Sequence, residues 1–226
     1  MLNSTSNGEE EIKIKRLGQN DISENDEFIN YKTIIIGNSG VGKSSLLKRA
    51  VQGKFTENYT ATIGFEFLLL YYEINGVKIK LQIWDTCGQE MYRSLVQGFY
   101  RNTALTLLIY AINDLKSFDD LSDWLNDIKN NTAHNMPIFL IGNKCDLKDE
   151  VEINSQTAKD FAKQNNLIYF NEASAKTGYN IDDIFEQIAK YLYKDYYLQG
   201  KNKDKKRKME LGQNEDIGGN KKRKCC

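Results

Sequence analysis

Between positions 31 and 195, short apolar runs alternate with segments of helical spacing. Tyr31–Gly37 is rich in β-branched residues and reads as a strand buried on both faces. Lys43–Gln52 carries a helical pattern directly after it. Phe65–Glu73 and Val77–Trp84 flank Asn75-Gly76, two residues that accept positive φ, so a hairpin is predicted there. Leu105–Ala111, Ile138–Gly142 and Leu167–Asn171 are read as further buried strands. Ser117–Asn130, Ser155–Asn165 and Ile181–Tyr193 are read as the intervening helices. The alternation predicts an α/β fold: a mostly parallel six-stranded sheet with one antiparallel edge strand from the hairpin, covered by helices on both faces. In such sheets ligands bind outside the carboxyl ends of the strands, so the loops there become the place to look for chemistry.

The two ends differ from this middle. Residues 1–30 are rich in Asn, Ser, Glu and Asp and read as a mostly disordered polar arm, leaving a folded domain over 31–195 and a tail over 196–226. The chain carries 31 basic and 31 acidic residues, but residues 200–226 hold ten Lys/Arg against four Asp/Glu. A basic tail on a neutral chain points to an anionic partner. No apolar run approaches the ~18 residues of a membrane span. No signal peptide is read at the N-terminus. Cys87, Cys145, Cys225 and Cys226, with His134 as the single histidine, make neither a disulfide framework nor a zinc-ligand spacing. A reducing compartment is expected.

Gly37-Asn38-Ser39-Gly40-Val41-Gly42-Lys43-Ser44 follows the first strand and opens the first helix. This is the G-x-x-x-x-G-K-[ST] spacing. Small residues let backbone N–H groups of Ser39, Gly40, Val41 and Gly42 turn toward a phosphate. The helix N-terminus, continuing through Ser45, adds its positive dipole end. Lys43 supplies a point charge to the terminal phosphates, and the Ser44 hydroxyl is a hard oxygen ligand suited to magnesium. A plain Gly-rich turn is the alternative, and the flanking strand and helix argue against it. The loop by itself does not choose between adenine and guanine.

Asn143-Lys144-Cys145-Asp146 follows the strand at Ile138–Gly142. Guanine presents two adjacent donors on one edge, and a carboxylate such as Asp146 accepts both. Adenine lacks that paired edge and would leave a desolvated carboxylate unmatched. Asn143 either ties loops together or touches the purine, and the Lys144 stem is able to cover the ring. Ser174-Ala175-Lys176 follows the next strand, where a backbone N–H can meet the guanine O6. Two solvated polar loops are the bland alternative; their order after the phosphate loop disfavours it.

This set of motifs resembles the Ras-like small GTPases, a branch of the P-loop NTPase fold, and within them the Rab family. The likeness runs over about residues 30–195. Tyr59–Phe67 is similar to the first Rab switch. Trp84-Asp85-Thr86-Cys87-Gly88-Gln89-Glu90 is similar to the second, continued by Phe99-Tyr100-Arg101, and Glu172–Lys176 fits the last guanine motif. The resemblance implies a GTP/GDP-dependent switch that hydrolyses GTP and recruits effectors in vesicle traffic. It implies that Thr62 ligates Mg2+ with Ser44, and that Asp85 holds the ion through water. Phe55 is implied to pack edge-on against guanine, the Gly88 N–H to bind the γ-phosphate, and Gln89 to orient the attacking water beside Lys43. A glutamine has a donor and an acceptor, which suits aligning a water rather than deprotonating it. No arginine stands in an obvious finger position, so slow hydrolysis accelerated by a partner is expected. Cys87 replaces the usual alanine, Met91 a basic residue, and Ser39 is a Rab-like choice. Phe67, Trp84 and Phe99 match the aromatic triad that Rabs present to effectors; ordinary core aromatics are the equal alternative.

Cys225-Cys226 resembles the Rab terminus that takes two geranylgeranyl groups, and two chains anchor where one is marginal. Lys221-Lys222-Arg223-Lys224 and Lys205–Lys208 add attraction to anionic lipid. A nuclear-import or nucleic-acid patch is the rival reading, and the terminal cysteines favour the membrane. The resemblance thus implies a monomer without a nucleic-acid partner. Its partners would be effectors, an exchange factor, a GTPase-activating protein and a prenyl-binding chaperone. It is expected on the cytoplasmic face of an intracellular membrane, with a cytosolic pool. Two competing classes are a P-loop ATPase or nucleotide kinase, in which Asn143–Asp146 would have no role, and a scaffold that holds nucleotide without hydrolysing it.

Overall fold

The structure, a computed structural model, describes residues 12–57, 65–86, 98–132 and 136–197. Its centre is one sheet of seven strands: β1 (Ile14–Leu17), β2 (Ile29–Ile36), β3 (Phe65–Ile74), β4 (Val77–Thr86), β5 (Leu105–Ala111), β6 (Ile138–Asn143) and β7 (Tyr169–Glu172). The spatial order is β1-β3-β4-β2-β5-β6-β7. β4, β2, β5, β6 and β7 run parallel to one another, while β3 is antiparallel to β4. The hairpin turn is the predicted one: Asn75 and Gly76 both have positive φ, at 48° and 81°.

One strand was not expected. β1 lies in the stretch read as a disordered arm, and it pairs antiparallel with β3 from Ile14↔Ile74 to Leu17↔Tyr71. The six-stranded expectation is therefore corrected to seven, with β1 rather than β3 at the edge. The physical reason is that the segment carries too little apolar periodicity to read as a strand: of β1 only Leu17 is buried, and β3 supplies the partner groups that the segment cannot find locally. Arg16 reinforces the attachment by donating to the Ala50 carbonyl and, at 2.9 Å, to Asp182.

The helices flank the sheet: α1 (Lys43–Gln52), α2 (Leu115–Asp119), α3 (Leu121–Asn131) and α4 (Ser155–Gln164). α5 begins at residue 181 and runs to 190, where the first compact unit ends. Residues 191–197 are also helical and belong to the second unit; the Tyr193 and Tyr197 rings stack there at 6.2 Å. The single helix predicted over Ser117–Asn130 is two, parted at Asp120, with the Asp114 carboxylate capping the first through the Ser117 N–H. Every residue of β5 and of β6 is buried, which explains why those strands read as unbroken apolar runs. Among the described residues no helix is long and apolar enough to cross a membrane.

Candidate functional site

The loop between β2 and α1 sits at the carboxyl end of the central strand. Two of its glycines are required by space as well as by φ. At Gly37 (φ +139°) a Cβ would come 2.1 Å from the Ile109 carbonyl oxygen, and at Gly42 (φ +94°) it would come 2.4 Å from Asn143 Nδ2. Ser39 and Gly40 form the exposed crown of the loop, and Val41 is buried beneath it. Lys43 curls back inside, its Nζ donating to the carbonyls of Gly37 at 2.9 Å and Asn38 at 2.8 Å. It is 5% exposed, so its charge acts where water screens least.

Ser44 follows on the first turn of α1, and its hydroxyl donates to Asp85 Oδ2 at the end of β4. Asp85 is fully buried, and burial pushes its carboxyl up to about 6 against the pull of the Ser44 hydroxyl and Lys43. Its second oxygen, Oδ1, is buried with no hydrogen-bond partner. An orphaned carboxylate oxygen beside a serine hydroxyl is a hard, anionic donor set, and it fits a magnesium ion. Thr62, the third expected ligand, lies outside the described residues, as do Cys87, Gly88, Gln89 and Met91.

A cavity of about 360 Å³ opens next to the loop, lined by Gly40, Gly42, Ser45, Phe55, Asn143, Lys144, Asp146, Leu147, Ala175 and Lys176. Three separate strands deliver these residues: β2 through the phosphate loop, β6 through Asn143–Asp146, and β7 through Ser174–Lys176. Asn143 is the tie between loops. Its Nδ2 donates to the Val41 carbonyl at 2.8 Å, and its Oδ1 accepts from the Ala175 N–H at 3.2 Å. Of the two tasks open to it, tying the loops together is visible in these two bonds, and its position on the cavity wall leaves the purine within its reach as well. Lys144 takes the left-handed conformation, φ 67°, at the sharp turn out of β6. Asp146 is aimed by Ser174, whose fully buried hydroxyl donates to Asp146 Oδ1 at 2.6 Å. Phe55 lines the same cavity from the segment after α1, and Lys176 pairs with Glu57 at 3.6 Å. The cavity thus carries an aromatic ring and an aimed carboxylate beside a phosphate-type loop.

The structure also brings in residues that no local motif marks. Arg49, at the end of α1, donates to carbonyls of Gly53, Ala175 and Lys176. Asn38 is gripped by Asp120 and Trp124 from the start of α3. Neither signal was available in sequence, because Ala175 and Lys176 for Arg49, and Asp120 and Trp124 for Asn38, lie far away along the chain.

A parallel sheet with a glycine-walled phosphate loop, a lysine inside it and an aimed carboxylate at its side defines a P-loop nucleotide-binding protein. The Ras family model matches residues 32–194, and the chain belongs to that family. It is a small GTPase, a guanine-nucleotide switch that hydrolyses GTP and answers to regulators.

Proposed function

We propose that this GTPase is a Rab-like switch of vesicle traffic, attached to the cytoplasmic face of an intracellular membrane through geranylgeranylated Cys225 and Cys226. The observation that carries the reading is the aromatic cluster formed by Phe67 on β3, Trp84 on β4 and Phe99. Phe67 packs on Trp84 at 5.0 Å and Trp84 on Phe99 at 5.4 Å, with Phe67 42% exposed. Trp84 and Phe99 are only partly buried against the core beneath. These three rings are the ones the Rab resemblance assigns to effector contact, and an exposed aromatic group is what a partner reads. Phe65 adds a fourth ring, 5.0 Å from Phe99 and 55% exposed.

In this reading each site residue has a role. Lys43 and the backbone of Ser39, Gly40, Val41 and Gly42 hold the phosphates, with Ser45 on the same helix turn. Ser44, Thr62 and Asp85 hold magnesium, which when bound neutralises the phosphate oxygens. Asp146 accepts the guanine donors, Phe55 and the Lys144 stem bracket the ring, and Ser174, Ala175 and Lys176 supply the loop at its O6 edge. Asn143 holds the loops together. Gly88 and Gln89 sense the γ-phosphate and orient water. Loss of the γ-phosphate frees both switches, which gives two surfaces from one chain. Effectors, an exchange factor, a GTPase-activating protein and a prenyl-binding chaperone follow as partners.

The test is fractionation of cells expressing the full chain with a free C-terminus. The protein is expected in membranes with a cytosolic pool, and the Cys225→Ser, Cys226→Ser double variant entirely in the cytosol. Membrane retention of the double variant contradicts the lipid anchor. Failure of Phe67→Ala to reduce GTP-dependent partner capture contradicts the effector face.

A further inference from the structure

Arg49 connects the phosphate end of the site to its base end. It lies in the last turn of the helix that begins with Lys43 and Ser44. Its Nε donates to the Ala175 carbonyl at 2.9 Å, one terminal nitrogen to the Gly53 carbonyl at 2.8 Å, and the other to the Lys176 carbonyl. Three carbonyls from two segments thus share one planar fork, each met by a different nitrogen, a spread of donors that the single nitrogen of an ammonium does not reproduce. The negative end of the α1 dipole lies at the same place and favours the charge.

The consequence passes through the peptide planes. In a trans peptide the C=O and the following N–H point in opposite directions. With the Ala175 carbonyl held on Arg49, the Lys176 N–H faces away from Arg49. With the Lys176 carbonyl held there too, the Thr177 N–H faces away as well, and it donates to Ser174 Oγ at 3.0 Å. Ser174 Oγ in turn donates to Asp146 Oδ1 at 2.6 Å. A continuous path therefore runs from Arg49 through the Lys176–Thr177 peptide and the Ser174 hydroxyl to the Asp146 carboxylate. The Arg49 stem crosses the turn at Gly178, where a Cβ would stand 3.8 Å from Arg49 Cδ and φ is +85°.

We infer that Arg49 is a positioning residue for base recognition: it sets the Ser174–Thr177 loop and, through Ser174, the aim of Asp146. It governs how long a guanine nucleotide stays bound and how well the base is discriminated. This rests on the reading that the cavity takes guanine.

The experiment compares the full-length protein with Arg49→Leu and Arg49→Lys. Release of fluorescent GDP is measured, together with affinities for GDP and inosine diphosphate, whose base lacks the exocyclic amino group that Asp146 accepts. In Arg49→Leu, GDP leaves at least tenfold faster and the preference for GDP over inosine diphosphate falls at least threefold. Arg49→Lys, which keeps charge and stem without the fork, lies between Leu and wild type on both readings. A role confined to holding the fold would weaken both nucleotides alike and keep the preference, and that result overturns the inference. Unchanged release does so as well. If Arg49→Leu does not fold, Arg49→Lys decides by the same two readings. A wild-type protein that binds neither nucleotide overturns the guanine reading itself, an outcome distinct from a binding wild type with unchanged variants.

Discussion

The indole Nε1–H of Trp124 donates to Asn38 Oδ1 at 2.8 Å, joining the second residue of the phosphate loop to a helix 86 positions away. The other end of the same amide donates to Asp120 Oδ2 at 2.6 Å, and the Asn38 carbonyl accepts from Lys43 Nζ. The side chain that fixes Asn38 thereby fixes one of the two carbonyls that aim Lys43. Trp124→Phe keeps a ring in the core but removes the donor, leaving Asn38 Oδ1 partly buried and unmatched. Stability is expected to fall by about 1–2 kcal/mol. Nucleotide release is expected to quicken. Denaturant unfolding and GDP-release kinetics check both, and unchanged release would mean that the contact is structural only.

The Ser44–Asp85 pair predicts how the site depends on magnesium. Ser44→Ala removes the hydroxyl and leaves a buried carboxylate with neither oxygen satisfied by a side chain. The magnesium concentration needed to retain nucleotide is expected to rise by about tenfold or more. Titrating Mg2+ against the GDP release rate measures it. A variant with the wild-type magnesium requirement removes Ser44 from the metal site.

Asp146→Asn exchanges an acceptor for a donor at the base edge while leaving the Ser174 hydroxyl beside it. Guanine affinity is expected to drop by about two orders of magnitude or more. Xanthine, which carries a carbonyl where guanine has its amino group, is expected to gain. Competition between GDP and xanthosine diphosphate for the variant reads this directly, and unaltered base preference refutes the contact.

The attachment of the N-terminal segment carries a pH dependence. Lys15 holds the Asp21 carboxyl below the usual carboxylate value of 3.8, and Lys78 does the same for Asp26. A carboxyl depressed in the folded state stabilises it above the unfolded value and loses that contribution as pH falls through the folded one. The Asp26–Lys78 pair, which ties the segment to β4, and the Lys15–Asp21 pair within it therefore add a modest stabilisation that is present above pH 3.8 and is lost as pH falls below it, so the segment loosens there. Hydrogen exchange at Ile14–Leu17 follows the loosening, and Asp26→Asn shifts part of it to neutral pH. Protection that does not change with pH excludes these pairs as the fastening.

The parts of the site that were legible in sequence are those built from neighbours in the chain. Gly37–Ser44 needs only a strand, a turn and a helix in succession. Asn143–Asp146 needs only the end of β6, so its place beside the phosphate loop follows from parallel topology. What was not legible depends on distant partners. Arg49 meets Ala175 across 126 positions, and an arginine in a helix reads as a solvated one until that meeting is seen. β1 is not legible for the same reason: its hydrogen bonds lie on β3, and its own composition resembles a disordered arm. The Phe67, Trp84 and Phe99 rings, balanced between core and surface in sequence, sit at the boundary of both.

Binding and turnover of GTP and ATP by the purified full chain in magnesium test the central claim most directly. The predicted result is retention of GTP and GDP in strong preference to adenine nucleotides, with hydrolysis slower than about 10⁻² s⁻¹ and further slowed by Gln89→Leu. Preferential binding of ATP, or an absence of any GTP turnover, contradicts it.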